Sequence, residues 1–277
     1  MNLIKPSFST GYAKNASESA NPNLWKGLVG AWMPSFGVTG NTLKDVSGNG
    51  NDGTLTNMDA ATDWVGTSKG LALDFDGDND YIELGSISAN NPLTLDGNRG
   101  GTIVCNALTR SGDPFQRLFD KSTAGTAING YNLCLDNNYG LHGSINGRWA
   151  YTGKTYNYNQ SYQFAWSFIG DDWKYYQDAE ILPHTIFTGP LWSDVPQVTT
   201  NARIGSWNHS TGRELKGNVS SLLIYNRALS PTEIKQLYLN PAAPFLRKQQ
   251  TVGISTAAVA PSANFNPFRV LTHPLEQ

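Results

Sequence analysis

Four aspartates fall within seven positions of LDFDGDNDYIEL, residues 73–84: Asp74, Asp76, Asp78 and Asp80. Carboxylates this close repel one another unless a cation or abundant water lies among them. A hard cation such as calcium takes such oxygens, together with backbone carbonyls. The spacing is not that of an EF-hand, because counting from Asp74 places Asn79 and Gly85 where Gly and Glu are needed. Leu71, Leu73 and Phe75 share one side of an extended run, with Ala72, Asp74 and Asp76 on the other. Asp76-Gly77 is a turn signal, and Tyr81-Ile82-Glu83-Leu84 resumes an extended run. The acids are therefore expected at a hairpin tip. They serve there either as calcium ligands, through Asp76, Asp78 and Asp80, or as a solvated turn whose side chains bond their own backbone. The loop DVSGNGNDG, residues 45–53, is a second oxygen-rich segment that could share the site.

A second concentration of chemistry is aromatic. The stretch GRWAYTGKTYNYNQSYQFAW, residues 147–166, carries Trp149, Tyr151, Tyr156, Tyr158 and Tyr162, interleaved with Asn157, Asn159 and Gln160. Sugars stack their C–H faces on aromatic rings while amides satisfy their hydroxyls. GSWNHSTGRE, residues 205–214, adds Trp207, Asn208 and His209 in a loop. Trp149, Tyr151, Tyr156, Tyr158, Trp207 and Asn208 are thus candidate ligand contacts. The same residue types also pack sheet faces and serve protein interfaces, so glycan contact, protein contact and plain packing all remain open.

Other chemistries lack their residues. There is no G-x-S-x-G and no G-x-x-x-x-G-K-[ST]. His142, His184, His209 and His273 are scattered in loop-like settings. Asp178 and Glu180 read as a hairpin turn rather than a catalytic pair. Cys105 and Cys134 are too few for a thiolate metal cluster and read as buried, reduced thiols in strands. Charged residues make up 15% of the chain with a net charge of −2, which argues against a nucleic-acid binder. No apolar run is long enough for a membrane span. The N-terminus lacks the apolar core of a signal peptide, so synthesis in the cytoplasm is expected. Sequons at Asn15, Asn159, Asn208 and Asn218 are near chance in so Asn-rich a chain.

The elements that must position these residues are mostly strands. Short apolar or alternating runs such as GLVGAWM, GLALDF, GTIVCNAL, YNLCLD, YQFAWSFIG and NVSSLLIYN recur between residues 24 and 240, broken by Gly, Asn and Asp. That pattern predicts an antiparallel β-sandwich. One helix is written in NRALSPTEIKQLYLNP: Ser230 caps it, Pro231 opens it and Glu233 completes a capping box. Leu229 and Ile234 form a staple, Ile234, Leu237 and Tyr238 share a face, and Pro241 ends the helix. Residues 1–23 and the Pro-rich residues 241–277 are expected as extended N- and C-terminal arms.

GLVGAW, DVSGNGNDGTLTN, LALDFDGDNDYIELG, NARIGSW and NVSSLLIYNRALSPTEIKQLY together resemble, in order, the laminin-G-like branch of the concanavalin A-like lectin/glucanase superfamily, in a form seen in bacterial and phage proteins. The resemblance covers about residues 24–240. It implies a jelly-roll sandwich of two antiparallel sheets, with glycan or protein binding and sometimes calcium. It also implies paired central strands joined through Gly170-Asp171-Asp172. Ser220 and Ser221 stand where the family carries Asp-Glu, which weakens the case for calcium. The E-x-D-x-x-E strand of the glucanases is absent. The chain is accordingly expected to be non-enzymatic: a lectin-like module displayed on a larger assembly such as a virion, as a phage decoration or appendage protein. Residues 1–23 and 241–277 would anchor it to other subunits in a homo-oligomer or lattice. A free-standing glycan-binding lectin is the alternative, and a glycoside hydrolase a more distant one.

Overall fold

The computed structural model describes residues 5–123, 129–153, 155–187, 199–209 and 212–249. The strands are β1 (Leu28–Trp32), β2 (Thr42–Leu43), β3 (Gly53–Thr56), β4 (Trp64–Thr67), β5 (Gly70–Asp76), β6 (Tyr81–Ile87), β7 (Gly101–Thr109), β8 (Gln116–Ser122) and β9 (Gly130–Asp136). They continue with β10 (Gly140–Ile145), β11 (Arg148–Tyr151), β12 (Ser161–Ile169), β13 (Asp172–Gln177), β14 (Glu180–Leu182), β15 (Thr185–Phe187), β16 (Thr200–Ile204) and β17 (Lys216–Tyr225). Helix α1 is Pro231–Leu239. Every strand pair is antiparallel, and the strands form two sheets, an all-β jelly-roll-like sandwich.

One sheet runs β15-β11-β10-β9-β8-β16-β6-β3-β2. The other runs β14-β13-β12-β7-β17-β5-β4, with β1 pairing the second half of β17. Between them lies a core that includes Phe75, Ile82, Phe119, Leu133, Trp166 and Phe168. The apolar alternation of the strands sends these side chains inward, and at about 25 cal/mol per Å² of apolar surface their burial is the main favourable term of the fold.

The eight-stranded sheet is covered on its other face as well. Val104, Ala165, Tyr176, Leu223 and Tyr225 project from it against Leu24, Phe36, Leu229, Ile234, Leu237 and Phe245. Burial on both faces explains why β7, β12 and β17 read as nearly continuous apolar runs rather than as clean alternations. Helix α1 belongs to this third layer. Its capping box forms as predicted, with the Glu233 amide donating to Ser230 Oγ at 3.3 Å and the Ser230 amide to Glu233 Oε2 at 2.9 Å. Arg227 adds a 2.6 Å bond to Glu233. Only Ile234 and Leu237 of the predicted face are buried. Tyr238 points out, because a helix of two and a half turns resting on a sheet buries a narrower stripe.

The described parts of the two terminal segments lie on this layer, against each other. The Ala13 amide donates to Phe245 O at 2.9 Å, the Ala20 amide to Leu246 O at 2.7 Å and the Lys248 amide to Glu18 O at 2.8 Å. Ser19 Oγ donates to Pro244 O at 2.6 Å, and the Trp25 indole N–H shares that carbonyl. Phe245 sits among Tyr12, Trp25 and Phe36, with ring centroids 5.4–6.3 Å away. Packed chain thus continues past residue 240 as far as the description extends.

Two turns follow the sequence reading, and one does not. Ile169 pairs with Asp172 across Gly170-Asp171, and Gln177 with Glu180 across Asp178-Ala179, both of which take positive φ (51° and 67°). LDFDGDNDYIEL, however, is not a hairpin. β5 pairs with β17 and β4 in one sheet, whereas β6 pairs with β16 and β3 in the other. The acidic turn carries the chain across the sandwich, and Gly77 supplies the positive φ of 82° that the crossing needs.

Phe245 is fully buried at the centre of the third layer. Phe245→Ala is expected to lower unfolding stability by about 3–5 kcal/mol, read from the urea midpoint. A loss below about 1 kcal/mol would show the layer to be dispensable.

Candidate functional site

The outer face of the nine-stranded sheet carries two cross-strand rows of side chains. One runs Thr185, Tyr151, His142, Cys134, Arg117 over β15, β11, β10, β9 and β8. The other runs Phe187, Trp149, Ser144, Asn132, Asp120, Arg203, Glu83 and continues the same strands into β16 and β6. The inward row between them is Ile186, Ala150, Gly143, Leu133, Phe119. A bulge in β8 between Arg117 and Phe119 lets Arg117 and Asp120 share the outer face although they are three residues apart.

Aromatic rings collect at one end of this face and form a continuous belt. Trp149 lies parallel to Phe187, with centroids 4.1 Å apart and planes 11° apart. Tyr151 contacts Phe187 at 5.4 Å and Tyr139 at 4.9 Å. Tyr139 stacks on Phe115 at 6.0 Å, and His142 bridges Phe115 and Trp149 at 5.7 and 5.5 Å. Beyond Phe115, the Arg213 guanidinium lies 5.1 Å from that ring and 4.2 Å from Trp207. Tyr139 and Phe187 are each 38% exposed, and Phe115, Trp149, Tyr151, Trp207 and Arg213 are half-buried, so the belt faces solvent.

Buried polar groups hold the belt from beneath. Asp136 Oδ1 accepts the Asn138 and Tyr139 amides, both at 2.8 Å, and Oδ2 accepts the Phe115 amide at 3.2 Å. One carboxylate therefore fixes the backbone of two belt residues. Arg203 Nη1 donates to Trp207 O at 3.2 Å. Arg117 and Asp120, both buried, approach to 3.2 Å through Nε and Oδ2, without the alignment of a hydrogen bond. Burial pushes the Asp120 carboxyl up to about 6 against the opposing pull of Arg117.

Cys134 Sγ lies 3.3 Å from His142 Nδ1, a contact with the outline of a nucleophile–base pair. Its electrostatics are those of a packed, neutral pair. Burial pushes the Cys134 thiol up to about 11. Burial, then Arg117 and Arg213, hold His142 down to about 3. His142 is a strand residue and not in a loop. Cys105 and Cys134 are free, buried and in different sheets.

The sequence candidates divide. Trp149 and Tyr151 are in the belt, and Trp207 is at its far end. Tyr156 is not a contact residue: it is 2% exposed, sits in the core and donates its hydroxyl to Asp136 O at 3.0 Å. Tyr158 packs against that core and donates to Asn137 Oδ1 at 2.5 Å. Asn208 directs its amide to Asn201 O at 3.2 Å, which pins its loop to β16. Phe115, Tyr139, His142, Phe187 and Arg213 were not among the candidates. Of these only His142 was readable, since it alternates with the inward Leu141 and Gly143. His184 lies 5.3 Å from Tyr175 by ring centroid, and His273 is outside the described residues.

The acidic turn bonds largely to its own backbone. Asp76 Oδ1 accepts the amides of Asp78, Asn79 and Asp80 at 2.8, 3.2 and 3.4 Å. Asp80 Oδ2 accepts the Asp76 amide at 3.0 Å, and Asp74 pairs with Arg110 at 2.6 Å. Two of the three expected ligands thus face backbone N–H groups, and the third, Asp78, is exposed. Among the described residues no three His, Cys, Asp or Glu side chains are grouped to hold a metal ion. The Asp45 loop is likewise internally bonded, to the amides of Ala31, Ser47 and Asn51. Ser220 and Ser221 lie at a bulge in β17, where Ser221 Oγ accepts Asn106 Nδ2 at 2.7 Å.

With this geometry the chain can be compared with known proteins. The sandwich is similar to part of Trypanosoma rangeli sialidase. With 2,3-difluoro-KDN bound, that protein matches at a TM-score of 0.54 and 17% identity, over 78% of this chain and 33% of its own. Its complex with the inhibitor DANA gives 0.52 and 18%, over 76% and 32%. The CBM40 of Ruminococcus gnavus IT-sialidase bound to α2,3-sialyllactose matches at 0.44 and 16%, over 60% of this chain and 96% of its own. The chain spans about a third of the sialidase, and likeness at this identity concerns the fold alone. No family model and no curated protein matches the chain.

Asp80 is 5% exposed, and burial, opposed by the Asp76 amide, pushes its carboxyl up from 3.8 to about 6. The folded state then holds that proton more tightly than the unfolded chain. Its stabilising contribution is full below about pH 4 and is lost as pH rises through about 6. Asp80→Asn is expected to flatten this slope and to exceed the parent in stability at pH 7, by on the order of 2 kcal/mol. Urea unfolding from pH 4 to 7 measures it.

Proposed function

We propose that the chain is a non-enzymatic, glycan-binding module that uses the aromatic belt. The observation that carries this reading is the solvent-facing group of Trp149, Tyr151, Tyr139 and Phe187. Rings half-open to water lose little on solvation and can gain by stacking on a sugar, whose C–H face they shield. Held by paired strands and by Asp136, they lose little freedom when a ligand arrives, so little ordering cost opposes binding. The carboxylates beneath are engaged in structure: Asp136 in three backbone bonds and Asp120 against Arg117. That favours recognition over glycoside hydrolysis, which needs two accessible carboxyl groups flanking the bond.

A finer reading is a laminin-G-like appendage of a phage particle, held by residues 1–23 and 241–277. Of these, residues 5–23 and 241–249 pack in part on the sandwich itself and leave Lys14, Asn15 and Ser17 exposed.

On a glycan array, the protein is expected to bind a restricted set of oligosaccharides. Trp149→Ala and Phe187→Ala should each weaken binding at least about tenfold, with melting temperature monitored to separate binding from folding. Tyr158→Phe, outside the belt, should bind as the parent does. A blank array, or full binding by both alanine variants, would sink the reading.

A further inference from the structure

Between β6 and β7 the chain runs from residue 88 to residue 100 without a strand, yet it is held at many points. Leu93 and Leu95 anchor it in the core. The Tyr131 hydroxyl donates to Leu93 O at 2.6 Å, and the Gly170 amide to Gly97 O at 2.8 Å. Asn91 Oδ1 accepts the Leu93 amide at 2.8 Å, and Asn91 Nδ2 donates to Asn51 Oδ1 at 3.2 Å. Thr94 Oγ1 donates to Ser88 O at 2.9 Å, and Asp96 Oδ1 accepts the Asn98 amide at 2.9 Å. Gly100 closes the segment at a φ of 87°, where a Cβ would meet Phe168 O at 2.7 Å. A connection this long and this firmly pinned is a preformed surface rather than slack chain.

Together with Asn226, at the end of β17, this segment bounds an open cleft of about 370 Å³, the size of a small-molecule site. Its chemistry is unlike the belt's. Among the described residues no aromatic ring lines it, and Ala89 and Pro92 are its only apolar side chains. The rest is amide, hydroxyl and one ion pair. Asp96 Oδ2 and Arg99 Nε lie 3.5 Å apart, so their charges largely cancel. The Asn90 and Asn226 carboxamides are exposed, and among the described residues neither has a hydrogen-bond partner. The Asn226 backbone is fixed by the 2.8 Å bond from its amide to Gly27 O.

We propose that this cleft is a second binding site, which takes the ring of a neutral sugar by hydrogen bonds alone. Each carboxamide offers both a donor and an acceptor, Asp96 accepts and Arg99 donates. The neighbouring hydroxyls of a pyranose, each able to give and to accept, answer such a mixture. A nucleobase would find no ring to lie against. A free amino acid would need the acid and the base apart, one for each end of the zwitterion, whereas here they face each other. The paired lining gives an anion no net positive field. The preformed walls keep the ordering cost of binding low. The cleft is separate from the belt: β6 lies five inter-strand steps from β11, roughly 24 Å. It does not depend on the belt's binding a glycan.

The test titrates the intact chain with the methyl pyranosides of glucose, galactose, mannose and N-acetylglucosamine, and follows the side-chain amide signals by NMR. At least one sugar is expected to shift the Asn90 and Asn226 signals saturably. Asn90→Ala and Asn226→Ala should each weaken its binding about fivefold, the worth of one hydrogen bond, at an unchanged melting temperature. Trp149→Ala should leave this binding intact. A disaccharide ending in the same sugar separates the two sources of such a ring, because a site for glycan ends accepts it and a site for free sugar does not. Saturable shifts with none of the sugars, or an affinity unmoved by both alanine variants, overturns the site. Loss of binding in Trp149→Ala places the sugar on the belt and overturns it equally. Tighter binding of the matching uronate overturns the neutral ligand. A blank glycan array beside saturable binding here removes the belt reading and leaves the cleft.

Discussion

A Cβ built on Gly143 would meet the Trp166 ring at 2.7 Å and the Tyr175 hydroxyl at 2.7 Å. The two sheets come so close there that only a residue without a side chain fits, and this pins the register of β10. Everything on the far side of the nine-stranded sheet depends on that register. Because side chains alternate with period two, a slip of one residue would turn Trp149, Tyr151 and His142 into the core and bring Ala150 and Gly143 out. Trp166 therefore acts on the belt without touching it. It fills the sandwich from the opposite sheet and leaves β10 one way to lie.

The same alternation explains how much the sequence could show. The sandwich was legible because strand-length runs recur with turn residues between them. Helix α1 was legible because its start is written in local chemistry, Ser230 to Glu233. Trp149 and Tyr151 were legible because they fall two apart on one strand. Tyr156 was not, because residues 152–160 form no regular strand, and period two says nothing about which way a side chain there points. Phe115, Tyr139, Phe187 and Arg213 stand alone in the sequence. Only the pairing of β8, β9, β10, β11 and β15 brings them together, and no local pattern encodes it.

The acidic turn shows a different limit. Asp76-Gly77 announces a reversal, and a reversal occurs. Local residue chemistry cannot say whether the two flanking strands will pair with each other or part into separate sheets. That choice is made by β17 and β16, which claim β5 and β6 respectively from more than a hundred residues away. The cluster of acids then has a structural account. Asp76 gathers the amides of Asp78, Asn79 and Asp80 and so shapes the turn by which the chain leaves one sheet for the other.

The clasp of residues 5–23 with 241–249 covers the outer face of the eight-stranded sheet, and the belt is on the outer face of the other. Both described ends of the chain therefore lie behind the sandwich as seen from the belt. A partner that gripped the exposed side chains of residues 5–23 would meet the module from that side, with the thickness of both sheets between it and the rings.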